Sequence, residues 1–175
     1  MLGFGTLLSP GAGACGSTVN FTCPEKGGLY INLGGDVIFH RRMGFGFDVA
    51  WKASQGAYGG EGGQPYRPIL FDFNGDYQPK LSKKVGADLF GGIGWQSTRF
   101  YGYTPTSNCV YFGACYQSSN HFLVDVGAGI RYYAYGHIFI RPEVRYYKIF
   151  NNDVDFTSGN VIRVGASIGY TIGPD

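Results

Sequence analysis

From Asn120 to Tyr135 the chain alternates with a period of two. Phe122, Val124, Val126, Ala128, Ile130 and Tyr132 fall on one parity; His121, Leu123, Asp125, Gly127, Gly129, Arg131 and Tyr133 fall on the other. Successive side chains of a strand point to opposite faces, so this pattern predicts an extended segment with one greasy face. The C-terminal stretch repeats it, with Ile162, Val164, Ala166, Ile168, Tyr170 and Ile172 set against Arg163, Gly165, Ser167, Gly169 and Thr171. Extending the rule predicts strands near 2–8, 28–39, 44–54, 67–77, 85–99, 120–135, 138–149 and 161–172, within one domain spanning residues 1–175. Gly and Pro are scattered through every window, which penalises helices, and the β-branched and aromatic residues suit pleated strands.

The connections alternate as well. Residues 40–43, 78–84 and 136–137 are short links, whereas 9–27, 55–65, 103–119 and 150–160 are long and rich in Gly, Ser, Asn and Pro. This layout predicts an all-β, eight-stranded antiparallel up-and-down barrel whose two ends face different surroundings.

A period of two fits a soluble barrel with an apolar interior, as in lipocalin-like carriers, and equally a membrane barrel with an apolar exterior. Composition separates them. Charged residues are 15% of the chain, and 30 residues are Gly. The polar parity carries ten of those glycines, at 34, 44, 46, 86, 92, 94, 127, 129, 165 and 169, and a single lysine, Lys52. A water-facing surface is dense in Lys and Glu, whereas glycines suit a cramped interior. The same parity holds Asp36, Asp48, Asp72, Asp76, Asp88, Asp125 and Glu143 beside Lys52, Arg131, Arg141, Arg145 and Arg163, which predicts an ion-pair network plugging a narrow lumen. Eight strands leave room for side chains and little else, which speaks against the rival reading, a small porin.

With strands running alternately up and down, the apolar-parity aromatics separate into two groups. Phe39, Phe45, Tyr77, Tyr132 and Tyr170 lie near the short-turn end; Trp51, Trp95, Phe122 and Tyr146 lie near the long loops, with aliphatic residues between. Two aromatic girdles around an aliphatic belt mark the two interfaces of a bilayer. Mean hydropathy is −0.08 and no apolar run approaches the length of a spanning helix, so strands would have to do the crossing. A net charge of +2 with no basic helix gives no reason to expect nucleic acid.

On these residues the chain resembles the small eight-stranded outer-membrane β-barrels of Gram-negative bacteria, the porin-type group that includes OmpA-like, OmpX-like and opacity-type barrels. The stretch Val161 to Ile172 looks like their closing strand, which the barrel-assembly machinery reads, although Gly173-Pro174-Asp175 follows where such strands usually end on an aromatic. The resemblance implies an integral outer-membrane location, a signal peptide removed or truncated, and contact with outer-membrane lipid and lipopolysaccharide. It implies a structural or adhesin-like role with an external ligand for the long loops, and no cofactor.

The four cysteines form two local pairs, Cys15 with Cys23 and Cys109 with Cys115, both in long loops on one side. Loop-closing disulfides formed in an oxidising compartment are one reading; a four-cysteine metal site is the other, which no C-x-x-C spacing supports. Ala12-Gly13-Ala14-Cys15 also admits a lipoprotein cleavage site, though no charged segment precedes it.

Catalytic candidates are few. His40 and His137 lie in short turns. His121 is on the inward parity near Ser118 and Ser119, with Asp125 four residues on. Outer-membrane acyltransferases and lipid A deacylases place a Ser and a His with a polar or acidic partner near that rim, which keeps lipid remodelling as the rival function. Pro142, inside a predicted strand, predicts a β-bulge or a weakened seam for lateral lipid entry, with Pro68 a second such point. Arg41, Arg42, Lys80, Lys83 and Lys84 form a basic rim at the short-turn end, suited to anionic headgroups; Tyr101, Tyr103, Tyr111, Phe112 and Tyr116 make the long loops aromatic.

Overall fold

The computed structural model of the chain describes residues 1–12, 23–40, 42–58, 63–102, 108–110 and 114–172. Cys15, Arg41, Tyr103, Tyr111, Phe112 and the Gly173–Asp175 tail lie outside them. Among the described residues ten strands follow one another: β1 (Leu2–Leu8), β2 (Tyr30–His40), β3 (Met43–Lys52), β4 (Gly56–Tyr58), β5 (Gln64–Tyr77), β6 (Val85–Tyr101), β7 (Asn108–Val110), β8 (Ala114–Tyr135), β9 (Ile138–Ile149) and β10 (Asn160–Tyr170). Eight of them form the antiparallel ring β1-β2-β3-β5-β6-β8-β9-β10, which the β1–β10 and β3–β5 pairings close. Closure pairs every strand on both edges, the condition for a sheet in hydrocarbon.

The facing follows the sequence parity. Along β9, Phe139, Arg141, Glu143, Arg145 and Tyr147 are buried, while Ile138, Ile140, Val144 and Tyr146 are exposed. Leu33, Phe45, Phe73, Ile93, Val126 and Ile168 are exposed in the same way around the ring. The barrel is therefore apolar outside and charged inside. The interior is tight: a Cβ on Gly94 would stand 2.0 Å from the Phe71 carbonyl oxygen, and one on Gly127 would stand 2.2 Å from the inward Phe90 ring. Gly127 is what lets Phe90 lie across the lumen.

Several boundaries differ from the sequence pattern. β8 begins at Ala114 and pairs with β6 up to Tyr101–Tyr116, beyond the point where alternation stops at Asn120. Backbone ladders hold that extension, and with no single apolar face to bury it leaves no periodic trace. The short strands β4 and β7 lie within the long links for the same reason, each pairing back on its neighbour. β10 stops at Tyr170 rather than Ile172, because its partner β9 begins at Ile138; Thr171 N donates once more to His137 O, and Ile172 is 92% exposed. Pro142 makes no bulge: β8–β9 pairs run Gly129–Glu143 and Tyr132–Ile140 in one register, with pairing interrupted between them. The register shifts fall elsewhere, at Ile38/His40 and Tyr133/Tyr135. Pro68 is buried within an unbroken β5–β6 ladder, so no open seam accompanies it.

Candidate functional site: the lumen and its loop-side mouth

Strand register stacks the inward side chains in three layers. Nearest the short turns, Arg131 donates to Asp36 and, at 2.7 Å, to Asp88; Arg141 lies 3.2 Å from Asp88 and 2.7 Å from Glu143. Above them, Arg145 contacts Asp72 and, at 3.3 Å, Asp125, while Arg163 reaches Asp48 at 2.6 Å and Glu143 at 2.8 Å. Arg145 and Arg163 are direct register partners, so the repulsion between them is offset by the carboxylates around them. The Phe90 ring lies 4.2 Å from the buried Arg145 guanidinium, adding a cation–π contact.

Two of the expected network members stand apart. Asp76 makes no ion pair among the described residues, and its Oδ2 is buried without a partner. Lys52 donates to the Tyr66 hydroxyl at 3.3 Å and sits one layer higher, near the loops. Between network and mouth lies a collar of Leu7, Tyr30, Ala50, Leu70, Leu123, Tyr147, Ile149 and Val161, all buried. These residues share the inward parity with the charges, and sequence patterning did not separate them because height in the barrel is not visible in a period of two.

The mouth is built from loop residues. Glu25, five residues before β2, is fully buried and accepts a hydrogen bond from the equally buried Gln96, and the positive charge of Lys52 acts on it. Cys23 bridges in parallel to Phe156, and Thr157 N donates to Cys23 O at 3.2 Å. Tyr58 of β4 stacks edge-on against Tyr66, Phe100 and Phe156, and its hydroxyl donates to the Asp155 carbonyl. Three chain segments thus roof the barrel. Cys23 and Cys115 are both disulfide-bonded, so their thiolates are not available to a metal, and β7 sets Cys109 directly opposite Cys115 in register.

Burial pushes the Glu25 carboxyl up from its ordinary 4.5 to about 7, against opposing pulls from Gln96 and Lys52. A raised folded-state value means the neutral acid is favoured on folding. This stabilisation is complete below about 4.5 and is lost as pH rises through about 7. The urea midpoint of the wild type is therefore expected to fall between about pH 5 and about pH 8, and Glu25→Gln is expected to reduce that difference. An unchanged pH dependence in the variant would remove Glu25 as its source.

The catalytic candidates are partly brought together. Ser119 Oγ lies 2.9 Å from His121 Nε2, and Asp155 Oδ2 lies 2.8 Å from the same nitrogen. Asp125, the acid the sequence places near His121, turns instead to Arg145; Asp155, which contacts the imidazole, comes from the long link after β9. Ser118 makes no side-chain hydrogen bond to His121. A general base must offer a bare nitrogen to the serine while its other nitrogen donates to the carboxylate. Here a single nitrogen meets both, and one ring nitrogen cannot at once donate to Asp155 and accept from Ser119. Among the described residues no group of three or more His, Cys, Asp or Glu has metal-holding geometry.

On the outside, Phe39, Phe45, Tyr77, Tyr132 and Tyr170 are exposed at the short-turn end, and Trp95, Phe122 and Tyr146 near the loops, with Trp51 half-buried. Phe71, Trp95, Phe122 and Phe150 form a chain of ring contacts at 5.7, 5.8 and 5.9 Å around the upper wall.

No protein-family model matches the chain, and no curated protein matches it in sequence. Solved structures do match. Neisserial surface protein A superposes with a TM-score of 0.63 at 10% identity, over 98% of this chain and 93% of that one. Ail, the attachment invasion locus protein of Yersinia pestis, crystallised with the heparin analogue sucrose octasulfate, superposes with a TM-score of 0.53 at 13% identity, over 95% of each chain. The chain has the fold of the small bacterial outer-membrane β-barrels.

Proposed function

We propose that this barrel is an integral outer-membrane protein of a Gram-negative bacterium, acting non-enzymatically at the cell surface as a structural and surface-interaction element. Its short turns face the periplasm, and its disulfide-tied loops face outward. The observation that carries this reading is the inversion of polarity. The wall is apolar, while the lumen is filled by four arginines paired with six carboxylates and closed above by the apolar collar. The roofed mouth is then what meets the outside. The likeness to a neisserial surface protein and to an attachment protein held with a sulfated sugar supports a surface ligand, and makes a polyanion the first class to test. Insertion through the barrel-assembly machinery and contact with lipopolysaccharide belong to the same proposal.

The test is electrical. Purified protein that shows heat-modifiable migration in detergent gels is expected to give no stepwise conductance in planar bilayers, because the lumen charges are paired rather than lining water. A stable unit conductance would replace the plugged barrel with a small porin.

A second reading, a lipid-remodelling enzyme, is favoured by the contiguity of Ser119, His121 and Asp155. The shared nitrogen argues against it. In cells expressing the protein, His121→Ala is expected to leave the lipid A profile unchanged, and an altered profile would reinstate the enzyme.

A further inference from the structure

Most outward positions of the wall carry large apolar side chains, but one row does not. Phe45 of β3 is opposite Gly75 of β5, Gly75 is opposite Gly91 of β6, and Gly91 is opposite Val126 of β8. All four positions belong to the outward parity, so two adjacent glycines leave the wall bare. The result is a groove of about 660 Å³, bounded by Phe45, Val126, Tyr77 and Leu89, with Phe39 and Met43 at its short-turn end. Phe45, Tyr77, Leu89 and Val126 are exposed, at 68%, 45%, 50% and 58%.

Packing does not demand glycine at position 75, where a Cβ would meet a single atom, the Gly91 carbonyl oxygen, at an ordinary 3.9 Å; at Gly91 a Cβ would stand 3.3 Å from the Asp125 carbonyl oxygen, a tight contact. On the lumen side a Cβ at Gly92 would stand 1.9 Å from the Phe73 carbonyl oxygen, a position no other residue can occupy. Gly35, another outward glycine, is covered by the Phe47 ring at 3.2 Å. Gly75 and Gly91 are left uncovered, at the expense of strand propensity.

The turns that follow the groove at its short-turn end carry cations. Arg42 immediately precedes Met43, and Lys80 follows Tyr77 by three residues. The two turns are joined by Gln78 N donating to Arg42 O at 2.8 Å. Both side chains are exposed, neither has an ion-pair partner among the described residues, and both border the polar vestibule at this end of the barrel. An apolar slot in the lipid-facing wall, with exposed cations on the turns adjoining its lining residues Met43 and Tyr77, is complementary to one kind of molecule.

We infer that this seam is a binding site for a single anionic glycerophospholipid of the periplasmic leaflet. One acyl chain lies in the Gly75/Gly91 groove, and the phosphate is held by Arg42 and Lys80. The inference rests on the membrane-spanning reading of the barrel. The apolar half contributes contact area that a smooth wall would lack, and the cationic half contributes selection by charge.

Native mass spectrometry of the full chain released from detergent tests it, with phosphatidylglycerol, phosphatidylcholine and diacylglycerol of the same acyl composition as probes. The wild type is expected to retain one phosphatidylglycerol in preference to the other two. Gly75→Leu fills the groove at a position with free space and is expected to reduce retention about tenfold while leaving heat-modifiable migration intact. The Arg42→Gln, Lys80→Gln double variant is expected to bring phosphatidylglycerol down to the level of phosphatidylcholine. Undiminished retention in Gly75→Leu overturns the site. So does equal retention of the charged and zwitterionic lipids by the wild type, or the appearance of wild-type dimers that Gly75→Leu abolishes, which would make a second copy of the chain the occupant. A wild type that partitions into water without heat-modifiable migration refutes the membrane reading itself, whereas a folded, detergent-soluble wild type that retains no lipid refutes this site alone.

Discussion

Replacing Arg163 with Met is expected to destabilise the folded barrel by about 3–5 kcal/mol, the range for stranding a buried charge by removing its partner. Arg163 is 1% exposed and bridges two strands at once, to Asp48 of β3 and to Glu143 of β9. Without it Asp48 keeps the Asn32 amide at 3.1 Å, and Glu143 keeps Arg141 at 2.7 Å. Two carboxylates would then be under-compensated in a space that admits little water. Met preserves much of the aliphatic stem, so the loss is electrostatic rather than a cavity effect. A companion variant separates the terms. Adding Asp48→Asn and Glu143→Gln to Arg163→Met removes the stranded charges and is expected to recover much of the loss, because a neutralised buried set often matches the ionic one in stability. Urea titrations in detergent or lipid vesicles measure both. A single variant with the wild-type midpoint would show that the lumen network contributes nothing to holding the ring closed.

The second large effect lies on the outer face of the neighbouring strand, β9. Val144 is 47% exposed and stands directly opposite Ala128 and Val164 in the middle of the wall. If that wall meets hydrocarbon, Val144→Arg costs about 2–4 kcal/mol, the range for a basic residue at the midplane of a membrane barrel. On a water-facing wall the same change would stay within about 0.5 kcal/mol. Ile138→Arg supplies a depth control, because Ile138 opens β9 at the short-turn end, where the expected cost falls to about 0–1 kcal/mol. Folding free energies in vesicles that rise from position 138 to position 144 would fit a lipid-facing band. Equal and small costs at both would make the exposed apolar surface something other than a membrane face.

The candidate site was less legible in the sequence than the wall around it. Inward parity put Arg131, Arg141, Arg145 and Arg163 on one face with Asp36, Asp48, Asp72, Asp88, Asp125 and Glu143, because alternation reports facing and nothing more. It also counted Asp76 and Lys52 with them, since parity carries no information on height or on which partner a side chain can reach. Glu25 and Asp155 were missed altogether. Both lie in long links with no period, and both reach the mouth through contacts distant in sequence, Glu25 to Gln96 and Asp155 to His121. Only the composition of the long loops hinted at a built mouth, through their cysteines and aromatics.

By itself the sequence determined the architecture: strands rather than helices, up-and-down connection, and an apolar face turned away from a glycine-rich, charged one. These are local properties, set by a two-residue period, by turn residues and by what a narrow interior can hold. The tertiary structure decided what depends on register between strands. It stacked the inward side chains into a charged base, an apolar collar and a roofed mouth, and it gave His121 one nitrogen for two partners. It also set Gly75 beside Gly91 on the outer wall. Each is a relation between residues whose spacing along the chain is unconstrained until the ring closes, and closure is what turns a list of strands into particular neighbours.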